Sequence, residues 1–234
     1  MIRIIRNKLS IIPKTTDSEV SKKQIDDVFH FCRGEFNGTM KEMNFHKIAP
    51  IPEDLVEGSK EKDDWLLTNW GTRNVAYNAC WVSDFELIFD TFTNPAIPIA
   101  YRIMKHFPDI DFSFKFASDH TGTNAGEVYT DKGSIFFNQQ KDFSKDAFEM
   151  AFELRPHLRA LFTLVADTNT YKADISDIIQ EIENNGFYKD IDGTMLIGTD
   201  DKQKPLFNSI DDIDDLPFWQ FTGTGGNYVS FITS

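Results

Sequence analysis

Phe112, Phe114 and Phe116 alternate with Ser113 and Lys115, a period of two that fits an extended strand with one apolar and one polar face. Such a strand belongs in a sheet buried on one side, so the rest of the chain must supply neighbouring strands and a cover. Ile2, Ile4, Ile5, Leu9, Ile11 and Ile12 read as a β-branched opening strand that stops at Pro13. Ser21 with Gln24 is a capping-box pattern for the helix that follows. Ile25, Val28, Phe29 and Cys32 share one face of that helix, and Gly34 is placed to end it. Ala76 to Val82 and Phe85 to Phe92 read as a hairpin turning at Ser83-Asp84. Pro95 and Pro98 open a helix with Ala100, Ile103, Met104 and Phe107 on one face, closed by Pro108. Further strands around Val128-Tyr129 and Ile135 to Phe137 turn at Asp131-Lys132-Gly133.

This succession contains strand, helix, strand, strand, helix, strand, which predicts an α+β fold with a ferredoxin-like βαββαβ antiparallel sheet and helices packed on one face. The other face is left to water, a partner or the C-terminal half. Residues 1–140 are the expected core, and 141–234 a helix-rich extension packed on it rather than an independent domain. The extension carries Ala147, Phe148, Ala151 and Phe152 at helical spacing. A second helix is expected from Pro156 through Leu158, Leu161, Phe162 and Val165, and a third over Ile175 to Asn185 between Asp174 and Gly186. The tail reads as turns, the acidic run 211–215, and a strand around Tyr228 to Ile232.

Two local features constrain the middle of the chain. Pro50 and Pro52 forbid a regular helix or central strand between Phe45 and Leu55, so an ordered loop is expected there. Asp63 and Asp64 precede Trp65, Leu66 and Trp70, and Gly71 sits where a helix ends in the left-handed conformation.

The opening Asn7-Lys8-Leu9-Ser10-Ile11 is followed by Asn44-Phe45-His46-Lys47-Ile48-Ala49-Pro50-Ile51-Pro52-Glu53, then by Trp65-Leu66-Leu67-Thr68-Asn69-Trp70-Gly71-Thr72-Arg73. This series resembles the YubB-like family of plasmid- and phage-associated proteins over roughly the first 140 residues. The resemblance implies a ferredoxin-like domain without an established activity. The sequence departs from that pattern after Arg73, where Asn74 and Val75 supply no second ring, and at Thr93-Asn94-Pro95-Ala96.

Charge narrows the function classes. Acidic residues outnumber basic ones 37 to 24, for a formal net charge of −13, which opposes direct nucleic-acid binding and favours solubility or a basic protein partner. A DNA-mimicking inhibitor is the sharpest version of that expectation. Cys32 and Cys80 form no metal-ligand or CxxC spacing, as buried thiols of a reducing compartment would not, and a cytoplasmic location without membrane contact is expected. His30, His46, His106, His120 and His157 make no zinc pattern, and Asp190-Ile191-Asp192-Gly193 lacks the remaining ligands of a calcium loop, so no metal or cofactor is expected.

The candidate binding residues are His46, Glu53, Asn69, Trp70, Gly71, Thr72 and Arg73; the catalytic set is unknown. Trp70 to Arg73 offer an aromatic platform, a close backbone approach and a cation, against the plainer reading of a helix cap over a packed tryptophan. His46 and Glu53 flank the proline loop as an acid–base pair without a third partner. The expected function is a non-enzymatic protein-interaction role in a mobile element or its bacterial host. The alternative is an enzyme whose site lies at the proline and Asn-Trp-Gly-Thr loops, which requires a concave pocket joining His46, Glu53 and Arg73.

Overall fold

In the computed structural model, which describes residues 3–165, 169–173, 219–222 and 228–231, β1 (Ile4–Pro13) runs inside an antiparallel sheet. Its Ile5, Asn7, Leu9 and Ile11 are buried and the intervening positions are half-exposed, the alternation its sequence dictates. α1 (Ser18–Cys32) starts three residues before Ser21, because the Asp17 carboxylate caps it by accepting hydrogen bonds from Glu19 N at 2.9 Å and Val20 N at 3.1 Å. An anionic cap also suits the positive end of the helix dipole. The helix ends at Cys32 without the glycine stop. Arg33 is extended, and Gly34 opens the small hairpin of β2 (Gly34–Phe36) and β3 (Thr39–Lys41).

The proline segment begins with one helical turn, α2 (Phe45–Ile48), capped by Asn44. Residues ahead of Pro50 can be helical as long as Ala49, next to the proline, is not. α3 (Lys60–Asn69) ends in Trp70 and a left-handed Gly71, φ 82°. β4 (Tyr77–Ser83) and β5 (Glu86–Phe92) form the hairpin, α4 (Ile97–His106) follows with Pro98 in its first turn, and β6 (Ile110–Ser118) carries the alternating phenylalanines. β7 (Gly126–Asp131) and β8 (Ser134–Gln139) turn through Lys132 and Gly133, both at positive φ (50° and 81°), the geometry that matches the twist of paired strands.

The strand order is β4-β5-β1-β6-β7-β8, antiparallel throughout, with β4 and β8 outermost. Register sorts the side chains. Leu9 lies between Leu87 and Phe114, and Asn7 between Phe89 and Phe116, so their buried side chains share one face with α1, α2, α3 and α4 in the main core. On the opposite face Lys8 lies between Ile88 and Lys115.

α5 (Lys145–Leu154) lies over that second face. Ala147, Ala151 and Leu154 pack on Ala117 and Ala125, and Glu153 bridges Lys8 at 2.8 Å and Lys115 at 2.6 Å. The C-terminal half therefore takes part of the face the sequence left open. Beyond α5, Pro156–Leu161 is a 3-10 turn, and the expected second helix gives way to β9 (Phe162–Val165), paired with β10 (Thr170–Ala173). Phe162, Leu164 and Val165 suit a strand as well as a helix face, and the antiparallel partner decides. Phe162 meets Phe148 and Phe152 of α5. β11 (Trp219–Thr222) pairs with β12 (Tyr228–Phe231). The expected helix at Ile175 to Asn185, the acidic run 211–215 and the Asp190 to Gly193 turn lie outside the described residues.

Candidate functional site

The sequence-selected loop is mostly built into the core. A Cβ on Gly71 would fall 2.5 Å from the Pro95 carbonyl oxygen and 2.8 Å from Pro98 Cδ, so glycine is required here both by φ and by close approach. Trp70 is 2% exposed. Its Nε1 donates to the Ala49 carbonyl at 2.9 Å, and Phe45, His46 and Trp65 surround its ring. Thr72 is buried and its hydroxyl donates to the Phe92 carbonyl at 2.9 Å. Asn69 donates to the Trp65 carbonyl and accepts from Arg102 at 2.6 Å. These four residues fasten α3 to the start of α4 and the end of β5.

The remaining three candidates diverge. The His46 ring stacks on Phe36 with centroids 4.6 Å apart, and burial followed by the nearby Lys62 charge pushes its pKa below the usual value, so it is neutral at pH 7. Glu53 lies on an exposed turn. Arg73 pairs with Asp63 at 3.3 Å and lines a cleft of about 440 Å³ with Leu67, Asn74, Phe92, Thr93 and Asn94. That cleft holds neither His46 nor Glu53.

A second concavity lies where no motif pointed. Between α1 and the β4–β5 hairpin runs a groove of about 590 Å³, with Ile25, Phe29, Trp81 and Phe85 as its apolar part. Phe29 and Trp81 meet with ring centroids 5.2 Å apart. The Trp81 indole N–H is buried and has no acceptor among the described residues. Asp26 and Asp84 also line it, and neither carboxylate has an ion pair or side-chain hydrogen bond among the described residues. Many basic side chains are by contrast already occupied: Arg6 by Asp90, Lys14 by Asp111, Arg33 by Glu42, Lys62 by Glu57 and Lys115 by Glu153. The signal in the sequence was the continuation of the α1 face from Ile25 and Phe29 back to Ser18, Ser21 and Lys22, which is legible only once Trp81 is known to stand opposite.

The buried polar cluster on the second face is a clamp. Arg6 binds both oxygens of buried Asp90, at 2.6 and 3.0 Å. Arg155, 3% exposed, donates to the Ala117 and Ser118 carbonyls at 3.3 and 3.2 Å, tying the end of α5 to β6. Burial, then repulsion from Arg6, lowers its pKa to about 10, against the attraction of Asp90 and Asp119; it stays a cation at neutral pH. Burial and the same two aspartates push the Tyr77 phenol upward, so it stays neutral. Neither group can exchange a proton near pH 7.

Among the described residues no cluster of His, Cys, Asp and Glu is arranged to hold a metal ion, and no helix is long and apolar enough to cross a membrane. No protein family, no curated protein and no solved structure matches the chain.

Proposed function

We propose that the chain is a non-enzymatic binding protein whose α1–β4 groove receives an extended, apolar-and-basic segment of a protein partner. The carrying observation is the apolar floor of Ile25, Phe29 and Trp81 beside the unpaired carboxylates of Asp26 and Asp84. An aliphatic or aromatic side chain fits the floor, and a lysine or arginine answers the carboxylates. The enzyme alternative has less support, because Arg73 lies in a cleft without His46 or Glu53.

The fold assignment within this proposal is ferredoxin-like. β1, α1, β4, β5, α4 and β6 follow the strand–helix–strand–strand–helix–strand order, with β4-β5-β1-β6 as their spatial order. Kinship with the YubB-like family of plasmids and phages, and a cytoplasmic role in a bacterial host, belong to the same proposal and rest on the ordered sequence motifs at Asn7, Asn44 and Trp65.

Selection from a displayed library of random linear peptides tests the binding reading. Enriched peptides should pair a large apolar residue with Lys or Arg, and bind more weakly as salt rises. Phe85→Asp, at a groove residue that is 44% exposed, and Asp84→Lys should each abolish or weaken that binding while the fold is retained. A library without enrichment, or peptides indifferent to both substitutions, refutes the groove as the site.

A further inference from the structure

We propose that the chain forms a two-fold homodimer by antiparallel pairing of β8 with β8 of a second copy, with Phe137 on the axis. This inference stands independently of the groove. β8 is an outer strand whose register against β7 runs unbroken from Ser134 to Gln139. It contains no charge and no proline, and Phe136 and Phe137 are 44% and 56% exposed. Outer strands are ordinarily guarded against pairing by charge, proline, bulges or a covering element; β8 carries none of the first three, and no described strand pairs with its outer side.

The hydrogen-bonding sense of the strand fixes the register. Gln140 N donates to the Ala125 carbonyl at 2.9 Å. Bonded and non-bonded positions alternate along an antiparallel pair, so Ser134, Phe136 and Asn138 bond toward β7. The N–H and C=O groups of Ile135, Phe137 and Gln139 point outward. A two-fold axis at Phe137 sets these outward groups against one another: Phe137 faces its own copy and Ile135 faces Gln139.

Charge also selects the occupant. A chain with a net charge of −13 repels its own copies wherever acidic surfaces meet, and an uncharged edge strand is where a copy can approach. Phe137 stacks on Phe116 from the main core, so the ring that would meet its mate is already held in place. The resulting sheet is continuous through both copies and carries one α1 groove at each end, a bivalent arrangement that raises avidity for a partner with repeated segments.

Sedimentation velocity on the full chain, across a dilution series, should give a dimer that dissociates on dilution. Phe137→Lys places two like charges face to face and should give a monomer with an unchanged circular-dichroism spectrum. Should that variant fail to fold, crosslinking decides. In a Cys80→Ser background, Phe137→Cys brings two thiols to about 5.5 Å between Cα atoms, within disulfide reach, and should crosslink faster on mild oxidation than Phe136→Cys. A monomeric wild-type chain at every concentration, as when another part of the chain covers β8, overturns the proposal. So does a dimer that survives Phe137→Lys, or a Phe137→Cys chain that crosslinks no faster than Phe136→Cys.

Discussion

The two outer strands of one sheet are built differently. β4 breaks register with β5 between Tyr77 and Cys80 and again between Trp81 and Ser83, and such bulges twist an edge away from a strand that would add to it. What β4 offers is the side chain of Trp81 and the hairpin residues Asp84 and Phe85, turned toward α1. β8 keeps unbroken register, lacks charge, and presents backbone. The contrast teaches that an edge can recognise through pockets or through its hydrogen-bonding ladder. Bulges and carboxylates favour the first, and a flat neutral strand the second.

The harshest way to break the comparison is to remove what both edges lean on. A chain ended at Gln140 lacks α5, uncovers Ala117 and Ala125, and deprives Lys8 and Lys115 of Glu153. It should be insoluble or rapidly proteolysed; a stable, protease-resistant fragment would establish residues 1–140 as an independent unit and release β8 from any dependence on α5.

Trp70→Ala comes next. Truncating a buried tryptophan typically costs about 3 to 5 kcal/mol, and here it also strands the Ala49 carbonyl that accepts from Nε1. The melting temperature should fall sharply for the whole sheet, both edges together. A loss confined to one edge, read by hydrogen exchange, would mean that the edges do not share a core.

Acid should separate the two sides. Burial, then Arg3, lowers the pKa of His120, whose ring meets Phe143 just past β8. Burial raises that of Glu153, but hydrogen bonds and charge from Lys115 and Lys8 outweigh it and leave it lowered. Both folded values are depressed, so their contribution is full above the ordinary values of 6.5 and 4.5 and is lost as pH falls through the folded ones. Lys8 runs the other way: burial lowers its pKa, Glu153 more than restores it, and the contribution present below 10.5 is lost as pH rises through the raised value. Hydrogen exchange during acidification below pH 6.5 should open α5 and the Phe143 turn before the α1–β4 groove. Simultaneous opening would contradict this order.

Smaller effects sharpen the contrast at the surface. Asp84→Lys should change stability by no more than about 0.5 kcal/mol, as substitutions at exposed positions without partners do, while weakening groove binding and leaving any dimer intact. Smallest of all, mixed-sequence duplex DNA should show no measurable shift in fluorescence anisotropy at physiological salt. Counterion release needs gathered cations, and here Arg6, Lys14, Arg33, Lys62 and Lys115 are tied to carboxylates. Micromolar, salt-sensitive binding would reveal a basic patch that these pairs do not suppress.

Local chemistry alone determined much of this molecule. The alternation at Phe112, Phe114 and Phe116, the helical face at Ile25, Val28 and Cys32, the prolines around α4 and the left-handed stop at Gly71 are each decided within a few residues, by side-chain period or backbone sterics. Where the local pattern allowed two solutions, neighbouring contacts that the pattern did not show decided between them. Asp17 took the cap from Ser21, and Phe162 to Val165 became a strand because β10 lies beside it. The candidate sites show the same division. Nothing near Trp70 in sequence says that its indole spends its hydrogen bond on Ala49, and nothing near Trp81 says that it faces Phe29. A pocket and an open edge are relations between residues far apart in the chain, so only the tertiary structure could place the groove beside β4 and leave β8 flat and, among the described residues, unpaired on its outer side.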